Sequence, residues 1–103
     1  MLDKKEAREI ALQYTNLLCK TYEPKSIILF GSYINGNPHE YSDIDIAVVF
    51  DNIEGLHYEI WTNLFALSES ISFDIEPHLM DESDDRSGFL DHIRRTGEII
   101  YEV

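Results

Sequence analysis

Two short stretches of the sequence carry residues that could bind and activate a phosphate compound. Gly31-Ser32 follows one apolar run, ten residues separate Ser32 from Asp43, and Asp43-Ile44-Asp45 opens a second apolar run that ends at Phe50. Both runs are short, rich in branched residues and bounded by turn formers, which predicts two buried strands. Alternate side chains of a strand share a face, so Asp43 and Asp45 point the same way. Two neighbouring carboxylates stay ionised together most easily around a cation, so this pair is a candidate metal site.

The Gly31-Ser32 pair is a candidate phosphate cradle. It lies just past the end of the first predicted strand, where a helix N-terminus would offer backbone N–H groups and the Ser32 hydroxyl to a phosphate. A phosphate cradle beside a carboxylate pair is typical of a site for a magnesium–nucleotide complex. In the intervening loop, Ser42 either positions Asp43 by a hydrogen bond or fills a turn, and His39 either approaches the nucleotide or is a plain loop residue. The sequence leaves both pairs of alternatives open.

The pattern of Gly31-Ser32, ten residues and Asp43-x-Asp45 resembles the motif of the DNA polymerase β-like nucleotidyltransferase superfamily. At 103 residues the chain looks most like the minimal nucleotidyltransferases (MNT domains), antitoxins that accompany HEPN-domain partners in prokaryotic toxin–antitoxin pairs. The resemblance implies a metal-dependent enzyme that moves AMP from ATP to a hydroxyl group, with one or two Mg²⁺ ions held by Asp43 and Asp45. It implies nucleotide binding by Gly31, Ser32 and Ser42. The implied acceptor is a tyrosine of a HEPN ribonuclease toxin, in an assembly whose oligomeric state stays open.

The resemblance also calls for a third acidic residue, on a strand next to the Asp-x-Asp strand. The segment 71–77 alternates apolar and polar residues, so Asp74 and Glu76 share one face of a predicted strand. Asp74 is the first choice for the catalytic and metal-binding role, and Glu76 is the second. The alternative is that both are solvent-facing charges of an edge strand. Pro77 either ends this strand or indicates that it lies at the sheet edge.

Hydrophobic spacing predicts an α+β fold in which helices pack on a small mixed β-sheet. Trp61 and Phe65 share helical spacing with Leu64, so they are predicted to be core residues rather than a surface for stacking bases. The length suits one domain, residues 1–103, and the fold order agrees with the nucleotidyltransferase core. The predicted helices are 3–21, 54–71 and 87–96, with a short turn at Ser32, and the predicted strands are 26–30, 43–50 and 71–77. Residues 99–101 are predicted to form a last short strand or an extended tail.

Composition excludes several other classes of protein. Eight Lys and Arg against twenty Asp and Glu give a net charge of −12, which disfavours direct binding to nucleic acid and suits a basic protein partner. No apolar window long enough for a membrane span and no signal peptide are visible, so we expect a cytoplasmic protein without a membrane partner. The single cysteine, Cys19, excludes an internal disulfide.

Three other functions compete with nucleotidyl transfer. A catalytically inactive module of the same fold could neutralise a partner by complex formation alone. A haloacid-dehalogenase-like phosphatase also uses Asp-x-Asp after a strand, but it requires Thr or Val where this chain has Ala47. A glycosyltransferase Asp-x-Asp motif needs a much larger sugar-nucleotide domain. The resemblance further implies that the acceptor is held by another molecule or subunit, because larger relatives carry an additional domain for that purpose.

Overall fold

A computed structural model describes residues 2–36 and 43–103 of the chain. Most of the predicted loop before Asp43, including His39 and Ser42, lies outside these residues. Within them no helix combines the length and the apolar character that a membrane crossing requires. The elements in chain order are α1 Lys4–Leu18, β1 Ser26–Phe30, α2 Ser32–Asn35, β2 Ile44–Phe50, α3 His57–Ile71, β3 Ile75–Asp81, α4 Phe89–Thr96 and β4 Glu98–Glu102.

The four strands form one mixed sheet in the order β3-β2-β1-β4. β1 pairs antiparallel with both β2 and β4, whereas β2 and β3 are parallel. The parallel pair is connected through α3, as parallel neighbours require a crossover. The predicted α+β class with a small mixed sheet is therefore confirmed.

Helices cover both faces of the sheet, so the two faces of β2 have different neighbours. Ile44 and Ile46 belong to the larger core, which packs against α1 and α3. Ala47 and Val49 point the other way, into a smaller core with Ile93 of α4. Asp45 has the same parity as Ala47 and Val49 and therefore lies on the α4 face of the sheet.

The prediction of a strand over 71–77 is wrong in its limits, because α3 continues to Ile71 and β3 begins only at Ile75. The N–H of Ser72 donates to the carbonyl of Ser68 at 2.9 Å, which closes the last turn of α3. Pro77 lies inside β3, and this is tolerated because β3 is an edge strand that, among residues 2–36 and 43–103, pairs with β2 alone. The edge position suggested by Pro77 is thus confirmed.

The prediction that Trp61 and Phe65 are core residues is also wrong. The stripe of α3 that packs on the sheet consists of Ile60, Leu64 and Ser68, spaced four residues apart. Trp61 and Phe65 each follow a stripe residue by one position, about 100° around the helix. Trp61 is 40% exposed, and its ring lies against that of Phe65 with the centroids 4.7 Å apart. The pair forms an aromatic surface at the margin of the core.

Candidate active site

The predicted acidic residues gather at one end of the sheet, where β1 ends and β2 and β3 begin. Asp45 of β2 pairs with Phe30 on one side and with Glu76 on the other. Asp45 and Glu76 are side by side on parallel strands in register, so both carboxylates lie on the α4 face. Gly31 follows Phe30 directly and is therefore beside Asp45. The residue that follows β1 and one residue each of β2 and β3 thus come together across three adjacent strands of the sheet.

Asp45, Glu76 and His78 form a group that fits a divalent cation. Each offers one ligand atom, and these atoms all lie within 4.8 Å of one another. Nε2 of His78 is 3.1 Å from Oδ1 of Asp45, and Phe30 packs edge-on against the imidazole with the ring centroids 5.0 Å apart. Carboxylate oxygens suit Mg²⁺ and Mn²⁺, and an imidazole nitrogen also accepts Mn²⁺ or Zn²⁺. Sequence reasoning missed His78, although its spacing of two from Glu76 on a strand could have indicated it.

The electrostatics of Glu76 also favour a bound cation. Partial burial raises the pKa of Glu76, a hydrogen bond with Asp43 raises it further, and the charge of Asp45 adds to the effect. Among these influences only the charge of His78 lowers the pKa of Glu76. Without a cation, three carboxylates therefore crowd one another at this end of the sheet. A divalent ion would relieve that repulsion.

Asp74, the first choice for the third carboxylate, lies in the turn one residue before β3. Its backbone carbonyl accepts a hydrogen bond from the N–H of Ile44 at 2.7 Å. Burial and, next, the charge of Asp74 raise the pKa of Tyr33, a residue of the larger core on the α1 side. Among the described residues Asp74, like Asp43, is not part of the candidate cation-binding group that Asp45, Glu76 and His78 form. Its proposed catalytic role stays a prediction, and Glu76 occupies the better position.

Gly31 is needed where it stands for two physical reasons. Its φ of +85° lies in a region that side chains with a Cβ rarely adopt. A Cβ at this position would also lie 2.3 Å from Oδ2 of Asp45. Ser32 then begins α2, as predicted, and is half-buried at the same end of the sheet. Ser42, the third predicted nucleotide-binding residue, lies outside the described residues.

Comparison with known sequences gives a family for this arrangement. The model of the family described as Polymerase beta, Nucleotidyltransferase matches residues 13–103. A protein of Methanocaldococcus jannaschii, provisionally named a protein adenylyltransferase, is 50% identical over 46 residues, covering 45% of this chain and 46% of that protein. A second protein with that provisional name from the same organism is 47% identical over 45 residues, covering 44% and 52%. The matched segment spans about half the length of these relatives.

Solved structures agree on the fold. A protein of Sulfolobus solfataricus, provisionally described as a nucleotidyltransferase, is 19% identical with a TM-score of 0.68, covering 96% of this chain and 83% of that one. A mutant of the toxin–antitoxin complex MntA–HpeT contains a chain that is 21% identical with a TM-score of 0.55, covering 99% and 75%. At these identities the likeness shows the fold alone. With the family model spanning residues 13–103, the resemblance is confirmed, and the chain belongs to the polymerase β nucleotidyltransferase family.

Proposed function

We propose that this domain transfers AMP from ATP to a hydroxyl group of a partner protein. The observation that supports this best is the placement of Asp45 between Gly31 on one side and Glu76 with His78 on the other. A cluster of carboxylates that fits a cation and lies beside a tight turn at a glycine can hold a metal–triphosphate complex. We propose Asp43, Asp45 and Glu76 as the acidic residues, in place of the set that included Asp74.

The proposed reaction exchanges one P–O bond for another. The acceptor oxygen bonds to the α-phosphorus of ATP, the bond from that phosphorus to the bridging oxygen breaks, and pyrophosphate leaves. The hydroxyl proton passes to the carboxylate of Glu76, which lies beside Asp45. Mg²⁺, when bound, would neutralise charge on the phosphate oxygens. Gly31 leaves room for the phosphates, and Ser32 donates a hydrogen bond to them.

The acceptor we propose is a tyrosine of a HEPN-type ribonuclease toxin, so that residues 1–103 would act as its antitoxin. Relatives are provisionally named protein adenylyltransferases, and one structural neighbour is part of a toxin–antitoxin complex. The net charge of −12 favours a basic protein over nucleic acid as the partner. The competing function is neutralisation by complex formation without chemistry.

Mass spectrometry of the partner tests the proposal. We expect that incubation of the chain with ATP, Mg²⁺ and the toxin candidate encoded beside it raises the mass of that protein by one AMP unit, about 329 Da, or a multiple. Asp43→Asn should abolish the shift. A stable complex in which neither protein changes mass with any nucleoside triphosphate would contradict transfer and support the binding-only module.

A pair of isosteric variants distinguishes the two candidates for the third carboxylate. We expect Glu76→Gln to lower the transfer rate by about 10²-fold or more, because the group beside Asp45 that accepts the proton is lost. Asp74→Asn should change the rate by less than about threefold, since Asp74 lies in the turn before β3 and its charge acts on Tyr33, whereas Asp43 and Asp45 act on Glu76. Initial rates at saturating Mg-ATP measure both. The reverse order of effects would restore Asp74 to the site.

A further inference from the structure

A cavity of about 590 Å³ opens along the outer edge of β3, between α3 and the start of α4. Its base is the edge strand from Glu76 to Asp81. Trp61 and Phe65 line it on the α3 side, and Phe89 lines it on the α4 side. The volume lies in the range of sites that bind small molecules or single side chains.

The cavity adjoins the reacting end of the sheet. Glu76 and His78, two of the three cation-binding residues, are also lining residues of the cavity. The ring of Phe30 contacts His78 on one side and Phe89 on the other, with the centroids 5.0 and 6.0 Å apart. A group bound in the cavity would therefore reach the carboxylates from the β3 side.

The direction of approach matters because phosphoryl groups transfer by in-line displacement. The attacking and departing oxygens must lie on opposite sides of the phosphorus. The phosphate cradle at Gly31 lies beyond Asp45 on the β1 side, whereas Glu76 and the cavity lie on the β3 side. If pyrophosphate leaves toward β1, the acceptor oxygen has to enter from β3. This step rests on the proposed transfer reaction.

We propose that the β3-edge cavity binds the acceptor as a peptide segment that presents a tyrosine flanked by basic residues. Trp61, Phe65 and Phe89 supply aromatic surfaces against which a phenol ring can pack. The cavity also contains carboxylates that suit neighbouring cationic side chains.

Those carboxylates come from the last residue of β3 and from the acidic segment that follows it. The hydroxyl and N–H of Ser83, with the N–H groups of Ile53 and Asn52, lower the pKa of Asp81 to about 2, so its charge persists at neutral pH. Asp84 lines the cavity as well and is paired with the exposed Arg86. An incoming arginine or lysine could share or replace that contact, because exposed ion pairs contribute little to stability.

The cavity has a second conceivable occupant, the adenine base, because Trp61 and Phe65 could stack on any flat ring. The two occupants would change the fluorescence of Trp61 differently. Trp61 is the only tryptophan of the sequence, so its fluorescence reports on the cavity. We expect saturable quenching by a synthetic peptide with one tyrosine between arginines, and weaker binding of it at higher salt. The same peptide with glutamates in place of the arginines should give no response, and neither should Mg-ATP alone.

A kinetic comparison of two aromatic variants completes the test. We expect Trp61→Ala to raise the KM for the arginine–tyrosine peptide on the order of tenfold, with kcat and the calorimetric affinity for Mg-ATP unchanged. Tyr58→Ala is the matched control, since Tyr58 is an exposed aromatic residue of α3 that does not line the cavity. It should behave as the wild type.

Each outcome has a separate meaning. Two results would assign the cavity to the adenine base and overturn the inference. One is a loss of Mg-ATP affinity in Trp61→Ala, and the other is quenching of Trp61 by Mg-ATP and not by the peptide. Transfer by the wild type with equal KM in Trp61→Ala would overturn it too. If the wild type binds the peptide at Trp61 and transfers nothing to peptide or partner, the transfer reaction fails while peptide binding stands.

Discussion

Asp45→Asn is expected to lower AMP transfer by a factor on the order of 10³ or more, since charge stabilisation by a bound metal contributes several kcal/mol to the transition state. Asp45 adjoins three other parts of the candidate site. Its carboxylate contacts His78, pairs across the sheet with Glu76 and lies beside Gly31. An amide keeps the shape of the side chain and removes the charge.

Thermal unfolding gives a readout that does not depend on transfer. At a metal concentration of about 100 Kd, binding should stabilise the wild type by about 2.7 kcal/mol. For a domain of this size that corresponds to a rise in Tm of roughly 10–20 °C. Asp45→Asn should lose this rise while its metal-free Tm stays at or above that of the wild type, because repulsion among the carboxylates is reduced.

Asp51→Asn is the matched control for Asp45→Asn, because Asp51 follows the opposite end of β2 and is exposed. It should retain both the metal-dependent rise in Tm and the transfer rate. A full metal response in Asp45→Asn would remove Asp45 from the cation-binding group. A collapse of the metal-free protein would instead show that the charge is structural.

The strands that carry the motif could be predicted from the sequence because their signals are local. Gly31 interrupts the first apolar run, the Asp43-x-Asp45 alternation opens the second, and the run between Asp45 and Phe50 is apolar on both faces. Each feature follows from neighbouring residues alone. β1 has the predicted limits, and β2 differs by a single residue.

The choice between Asp74 and Glu76 could not be made from the sequence, because it depends on where α3 stops and on the register of β3 against β2. Asp74 and Glu76 are two residues apart, so both would lie on the same face of a strand. Alternation does not show which of them lies opposite Asp45. The pairing of Asp45 with Glu76 is a contact between distant parts of the chain. His78 joins the group through the same register, and its spacing of two from Glu76 was the one local signal for it.

Trp61 and Phe65 of α3 show a different limit of prediction from sequence. Trp61 and Phe65 have the spacing of core residues, but the buried stripe of α3 is the narrow one of Ile60, Leu64 and Ser68. Beyond that stripe the edge strand β3 ends the sheet, so the two rings line a cavity rather than fill a core. Helical periodicity identifies an apolar side of the helix and does not tell how wide the opposing surface is.

Gly31→Ala is expected to abolish metal and nucleotide binding while the protein still folds. The variant meets two separate penalties. A non-glycine residue at a φ of +85° costs about 1–3 kcal/mol, which lowers Tm by roughly 5–20 °C. The added Cβ would also lie 2.3 Å from Oδ2 of Asp45, so that carboxylate has to rotate away from Glu76 and His78. Calorimetric titration with Mg-ATP, beside thermal unfolding, measures the two effects.

Gly55→Ala separates these penalties, because Gly55 has a φ of +82° and, apart from its two chain neighbours, no residue that the structure describes has an atom within 4 Å of the position that a Cβ would take there. It should lose stability through backbone strain at its positive φ and keep full affinity for Mg-ATP. If Gly31→Ala lost stability to the same extent and kept its affinity, Asp45 would tolerate the displacement and the tight turn could not be part of the binding site. If affinity falls in Gly31→Ala alone, the close approach of Gly31 to Asp45 is what the site requires, since Gly55→Ala also places a side chain at a positive φ and makes no such contact.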